Sequence, residues 1–177
     1  MKNKKILFVM GVSGCGKSSI GEKISILKTC TYIDADDYHP PENVNKMRND
    51  IPLTDEDRQP WLKALNRLAT KSNNDNKDLV IACSCLKPAY RKVLQEGINE
   101  KVVFVYLKGS FEVISERMKK RDEHYFNGDV MLKSQFDTLV EPAPEEPIDY
   151  IKVSIDNYDI DGVVDQTLKA LSEANYV

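Results

Sequence analysis

The sequence predicts an α/β fold in which a parallel sheet is covered by helices on both faces. Three observations predict it. Continuous apolar runs, the mark of strands buried on both sides, occur at 6–10, 31–33, 79–83, 102–107 and 150–155. Helical spacing falls between them, in Ile20, Ile24 and Leu27, in Trp61, Leu65 and Leu68, in Phe111, Ile114 and Met118, and in Val164, Leu168 and Leu171. A glycine-rich turn at 11–18 joins the first run to the first helix. Such alternation argues for βαβ units and crossover helices.

Length and composition bound the rest. The 177 residues fit one domain, 1–177, at about 150 residues per domain. Hydrophobic residues make up 41% and charged residues 30%, which excludes a disordered or fibrous chain. A net charge of −3 speaks against a general nucleic-acid or anionic-membrane binder, and no apolar run approaches a membrane span. Cysteines 15, 30, 83 and 85 match no zinc spacing, so a reduced, cytoplasmic protein is expected. Val12-Ser13-Gly14-Cys15 also resembles a lipoprotein cleavage box, but cleavage there would destroy the better-specified motif that contains it.

Two stretches do not fit plain βαβ packing. Residues 38–75 are too long for one crossover helix, and about 118–140 is rich in charge and aromatics. Both are expected above the carboxyl edge of the sheet, where α/β folds bind ligands.

Gly11-Val12-Ser13-Gly14-Cys15-Gly16-Lys17-Ser18 matches G-x-x-x-x-G-K-[ST], after a strand and opening a helix. Its glycines let backbone N–H groups turn inward around phosphates, and the helix N-terminus adds the positive end of its dipole. Gly11, Ser13, Gly14, Cys15, Gly16, Lys17, Ser18 and Ser19 are the candidate nucleotide contacts. Lys17 reaches the β- and γ-phosphates and Ser18 can ligate Mg²⁺. The bland alternative is a glycine-rich turn that merely caps a helix.

The motif says nucleoside triphosphate, not which reaction. N-K-x-D, the guanine signature, fails at its fourth position in Asn45-Lys46-Met47-Arg48 and in Asn76-Lys77-Asp78-Leu79. The D-x-x-G of Asp159-Ile160-Asp161-Gly162 follows the last strand, the wrong place for a GTPase. The runs 79–83 and 102–107 lead into Ser84 and Lys108, not the acid of a motor ATPase. The second strand, by contrast, ends in Asp34-Ala35-Asp36. One carboxylate can hold Mg²⁺ through water and the other can take a hydroxyl proton. Two residues apart on extended chain they point to opposite sides, unless the chain turns there. The alternative is a solvated acidic turn. Arg117 and Arg121 share one helix face, where one can stack on adenine and the other reach phosphates. A solvated basic helix end is the competing reading.

In these motifs the chain resembles the gluconokinases, small kinases related to shikimate and nucleoside monophosphate kinases. The resemblance runs from about Ile6 to Val164. It is carried by G-V-S-G-C-G-K-S at 11–18, D-A-D-D-Y-H-P at 34–40, N-V-N-K-M at 43–47 and P-L-T-D-E-D-R-Q-P-W-L at 52–62. C-S-C-L-K-P-A-Y-R at 83–91, V-Y-L-K-G at 105–109, S-Q-F-D-T-L at 134–139 and Glu141-Pro142 continue it. It implies ATP-dependent phosphorylation of the 6-hydroxyl of D-gluconate, a five-stranded parallel sheet, a helical substrate lobe at about 38–75, a short lid at about 118–140, and a homodimer. It also implies Asp36 as the base and Asp34 as the water-mediated magnesium partner; Lys17 of the phosphate loop and Arg121 of the lid are the further candidate catalytic groups. His39, Arg58, Lys87 and Arg91 fall in motifs near the sugar-acid pocket.

The residue chemistry agrees, because a sugar acid needs cations for its carboxylate and hydrogen-bonding groups for its hydroxyls. Each cation has an alternative. Arg58 can pair with Asp55 or Asp57, Lys87 and Arg91 can form a solvated helix face, and His39 can cap the next helix. Trp61 fits the stripe of Leu65 and Leu68 and is expected in the core of the substrate lobe. Related kinases acting on shikimate or another polyol acid, and a nucleotide-binding module without phosphotransfer, remain the alternatives. Cys15 and Cys85 stand where gluconokinases usually carry a small Ser and Ala, and the chain carries one extra residue before Met131, so His124 is not counted among the catalytic groups.

Overall fold

A computed structural model of the chain describes residues 5–49, 51–99, 101–121 and 128–176, the side chain of Arg121 excepted. Five strands, β1 (Lys5–Met10), β2 (Thr31–Asp34), β3 (Leu79–Ala82), β4 (Lys101–Lys108) and β5 (Asp149–Ser154), form one parallel sheet in the order β2-β3-β1-β4-β5. This is the α/β fold read from the apolar runs, with strand ends shifted by a residue.

β1 is central because both of its faces are apolar. Leu7 and Val9 point to one side, and Ile6, Phe8 and Met10 to the other, following the two-residue period of a strand. The first side is covered by α1 (Lys17–Lys28) through Ile20 and Ile24, and by α7 (Ile160–Glu173) through Val163, Val164 and Leu171. The second is covered by α3 (Asp55–Asn74) through Trp61, Leu62, Leu65 and Ala69, and by α4 (Pro88–Gln95) through Tyr90 and Leu94. Phe8 and Phe104 stack beneath them with ring centroids 5.2 Å apart.

The stretch 38–75 therefore divides. A 3₁₀ turn (Ala35–Tyr38) and α2 (Pro41–Arg48) lie beyond the sheet edge, whereas α3 is itself a core helix on the sheet face. Local signals set the start of α3. Thr54 accepts the Asp57 N–H at 3.1 Å while the Asp57 carboxylate takes the Thr54 N–H at 2.9 Å, a reciprocal capping box. Asp159, the first residue of the D-x-x-G match, caps α7 by accepting the Gly162 N–H at 2.8 Å.

Strand order places the site. The chain leaves β1 toward β2 and β3 on one side and reaches β4 and β5 on the other. The loop after β1 thus lies where the connections diverge, the crevice in which open α/β sheets bind ligands. Completing the chain, α5 (Phe111–Arg121) and α6 (Gly128–Thr138) pack on each other near this end.

Candidate active site

The turn 11–18 wraps the N-terminus of α1. Gly16 caps that helix in the left-handed region, with φ 98°, which is open to glycine without a Cβ clash. Gly14, also left-handed at φ +78°, packs so closely that a Cβ would lie 2.4 Å from Met118 Cγ of α5. Cys15 points inward, fully buried, and burial pushes its thiol pKa up. It therefore offers the loop backbone alone, and the cleavage-box residues lie inside a folded turn.

One pocket is lined by Ser13, Gly14, Gly16, Lys17, Ser18 and Ser19 of this turn and helix, by Asp34 at the end of β2 and Asp36 beyond it, by Ala82 at the end of β3 with Cys83 and Ser84 beyond it, and by Gln135 of α6. Lys17 Nζ donates to the Val12 carbonyl at 3.1 Å, and the Ser13 N–H donates to Gln135 Oε1 at 2.6 Å. Ser18 Oγ donates to Asp34 Oδ2 at 2.8 Å, and the Tyr32 hydroxyl reaches the same oxygen at 3.3 Å. Burial pushes the Tyr32 pKa up to about 12, so this hydroxyl stays a donor.

The two carboxylates do not point apart, because the chain turns. Asp34 Oδ1 accepts the Asp36 N–H at 3.0 Å and opens the 3₁₀ turn, which brings both acids to the same pocket. Ser18 and Asp34 together present oxygen only, the donor set that suits a hard cation such as Mg²⁺.

The sugar-acid candidates His39, Arg58 and Lys87 stand outside this lining, at the end of the 3₁₀ turn, in α3 and at the start of α4. His39 stacks on Trp61 with centroids 4.3 Å apart and an interplanar angle of 14°, and its Nδ1 meets Asn43 Nδ2 at 3.3 Å. Burial lowers the His39 pKa, with the Arg58 charge acting the same way and Asp36 opposing. Trp61 is buried, though against the sheet and not in a separate lobe, and its Nε1 donates to the Ala35 carbonyl at 2.7 Å, tying α3 to the turn that carries Asp36. Arg58 donates to the carbonyls of Leu53 and Thr54, and its guanidinium carbon lies 5.7 Å from the Tyr90 ring centroid. Lys87 Nζ lies 5.6 Å from the same centroid and binds both carboxylate oxygens of Asp55, at 2.9 and 3.0 Å. The Tyr90 hydroxyl donates to Asp55 too, and this bond, with Lys87, lowers the Asp55 pKa.

Against this geometry stand the comparisons with known proteins. The family model described as shikimate kinase matches residues 13–171. The thermoresistant gluconokinase of Escherichia coli (strain K12) is 42% identical over 168 residues, covering 95% of this chain and 94% of that one. The gluconokinase of Arabidopsis thaliana is 41% identical over 146 residues, 76% of this chain and 77% of that one. The chain belongs to the gluconokinase family. In three dimensions it is similar to the crystal structure of a gluconokinase from Sinorhizobium meliloti 1021, with a TM-score of 0.86, 38% identity, and coverage of 98% and 95%. An APS kinase of Mycobacterium tuberculosis, TM-score 0.66 at 15% identity, shares the fold alone.

Within this gluconokinase fold one sequence expectation needs correcting. Arg91 does not face the pocket. It is fully buried, its Nε and Nη2 grip the Glu146 carboxylate at 2.7 and 2.6 Å, and Nη1 and Nη2 donate to the carbonyls of Cys85 and Val140 at 2.9 and 3.1 Å. A guanidinium without water must spend its donors inside the protein, so it braces α4 against the loop before β5. Neither the ligand reading nor the solvated-face reading of Arg91 describes it.

Arg117 Nη2 donates to the carbonyls of Ile155 at 2.6 Å and Tyr158 at 2.9 Å. Hydrogen bonds in the guanidinium plane leave its flat faces for stacking. Arg121 ends α5, and its side chain lies outside the described residues, as does His124. The lid expected at about 118–140 is thus described only in part.

The motif-based reading did not count Gln135, Ser84, Tyr90 or Asp55 among the site residues. All four stand inside the stretches S-Q-F-D-T-L, C-S-C-L-K-P-A-Y-R and P-L-T-D-E-D-R-Q-P-W-L that carry the family resemblance.

Proposed function

We propose that the protein transfers the γ-phosphoryl group of ATP to the 6-hydroxyl of D-gluconate, giving 6-phospho-D-gluconate and ADP. The observation that carries this reading is a single pocket shared by Lys17 and the Asp36 carboxylate, in a gluconokinase-family chain. A phosphate-binding cation and an acid able to take a hydroxyl proton are the two groups that an alcohol kinase requires.

The loop amides and the α1 N-terminus hold the phosphates of ATP, and Lys17 neutralises charge on the β- and γ-groups. Arg117 offers a guanidinium face to the adenine. Asp36 orients the acceptor hydroxyl and takes its proton as the new oxygen–phosphorus bond forms and the bond to ADP breaks. Ser18 and Asp34 would hold Mg²⁺, which when bound neutralises charge on the phosphates. Lys87 and Arg58, flanking the Tyr90 ring, supply the positive field for the sugar acid's carboxylate, and neutral His39 offers its ring to a hydroxyl. Catalysis is then positioning and charge stabilisation more than covalent chemistry.

The test is ADP formation from ATP and Mg²⁺ with D-gluconate, with shikimate and with no acceptor. Turnover with gluconate alone is expected. Turnover with shikimate alone would reassign the acceptor, and none with either would remove the phosphotransfer reading.

A further inference from the structure

Helix α6 brings one more group to the pocket. Leu132 of this helix is fully buried, and Phe136 packs on Phe111 of α5 with ring centroids 5.8 Å apart. Asp129 ties the start of α6 to α5 through Ser115 Oγ at 2.5 Å and Lys119 Nζ at 3.0 Å. Residues three apart share a helix face, so buried Leu132 fixes the side of α6 that carries Gln135, and Phe136 anchors the adjoining side. Its side chain spans to the phosphate loop, accepts the Ser13 N–H at 2.6 Å, and lines the pocket with Lys17, Ser18, Asp34 and Asp36.

The polarity of that contact orients the carboxamide. A backbone N–H can only donate, so the atom facing it is the oxygen, and the NH₂ group lies on the other side. Among the described residues that nitrogen has no acceptor, and it is not shut away from solvent. A helix far along the chain thus delivers a neutral donor, oriented by its bond to Ser13, to the pocket that holds the phosphate-binding lysine and the two acids.

We infer that Gln135 is a further catalytic residue, donating from its NH₂ group to the phosphoryl group in transfer. That group spreads negative charge over its equatorial oxygens, and a donor fixed in advance stabilises such charge without reorganising. Neutrality suits the position. A cation in this pocket would lower the basicity of the acids that line it, and a carboxylate would repel the phosphates. The oxygen's bond to Ser13 does the aiming, so both ends of one side chain are used. The inference rests on phosphoryl transfer occurring in this pocket.

Two substitutions separate the two ends. Gln135→Ala removes both, whereas Gln135→Glu keeps an oxygen for the Ser13 N–H and removes the donor. Wild-type turnover with ATP and D-gluconate is measured first, then kcat, both Michaelis constants and ATP affinity by calorimetry for each variant. A donor used only in transfer is expected to lower kcat about 100-fold in Gln135→Ala. Both Michaelis constants and the ATP affinity of that variant should stay within about twofold of wild type. Gln135→Glu should fall at least as far. Gln135→Met, of similar volume, carries the same expectation as Gln135→Ala should that variant fail to fold. Unchanged kcat in Gln135→Ala would overturn the inference, as would a loss confined to ATP affinity, or wild-type kcat in Gln135→Glu, which would make the residue a brace for the loop. Absence of wild-type turnover would instead remove the transfer reading, and the inference with it.

Discussion

The phosphate loop and the cation cluster around Tyr90 lie at the same edge of the sheet, yet their charges are committed differently. Around the loop, Lys17 rests on a backbone carbonyl and Asp34 on a serine hydroxyl, neutral partners that a phosphate or a metal can displace at small cost. Around Tyr90, Lys87 already grips Asp55. Farther in, Arg91 is spent altogether on Glu146 and two carbonyls. The difference teaches that a cation in a motif is a ligand only to the extent that the fold leaves it unspent. Lys87 is 35% exposed and its pair with Asp55 is screened by solvent, so a substrate carboxylate can compete for it. Arg91 has no exposure, and separating it from Glu146 would strand a buried guanidinium and a mostly covered carboxylate.

The contrast can be broken or sharpened by mutation. The largest effect should come from Lys17→Ala, with turnover down about 1000-fold because a central charge-stabilising group is lost. Asp34→Asn should cost far less, and part of that loss should return as Mg²⁺ is raised in the assay. Equal losses in the two variants would contradict the division of labour between them. Arg91→Met comes next, in stability and not in binding. Removing one partner of a buried pair costs about 3–5 kcal/mol, a drop of roughly 10 °C in the unfolding midpoint of a chain this size. The Michaelis constant for gluconate should stay unchanged, and Arg91→Met with Glu146→Met should recover much of the midpoint. A raised Michaelis constant at unchanged midpoint would return Arg91 to the pocket.

Lys87→Met should do the reverse, raising the Michaelis constant for gluconate about tenfold, as losing an interaction worth about 1.4 kcal/mol would. Its unfolding midpoint should stay near that of wild type, and the opposite pattern would make Lys87 a strut. The smallest effect is a pH dependence. Burial, aided by Arg58, lowers the His39 pKa below its ordinary 6.5, so the unfolded chain takes up this proton more readily than the folded one. Stability from this group is therefore complete above pH 6.5 and declines as pH falls from there toward the lowered value. His39→Phe keeps the ring on Trp61 and removes the titration, so the wild-type midpoint should fall relative to the variant between pH 7 and about 5.5. Parallel curves would show that His39 is not the group responsible.

Much of the nucleotide side was legible because its signals are local. The turn 11–18 is contiguous, follows a strand and opens a helix, so its residue types alone specify the backbone path. The strand ending in Asp34 was legible for the same reason, but the turn at Ala35 that brings Asp36 to the same pocket was only a stated condition. The sugar-acid side was legible only as a set of residues, through the family resemblance. Whether Arg58, Lys87 and Arg91 face substrate depends on Tyr90, Asp55 and Glu146, which lie 32, 32 and 55 positions from them.

By itself the sequence determined the parallel α/β sheet, the phosphate loop and the two acids after the second strand. Periodicity, glycine placement and helix caps act over a few residues and need no distant partner. Tertiary structure alone decided that α3 is core and no free lobe, that Arg91 is a brace, and that Gln135 reaches Ser13 across 122 residues. Those outcomes depend on burial and on which donors meet which acceptors, and both are properties of the packed chain.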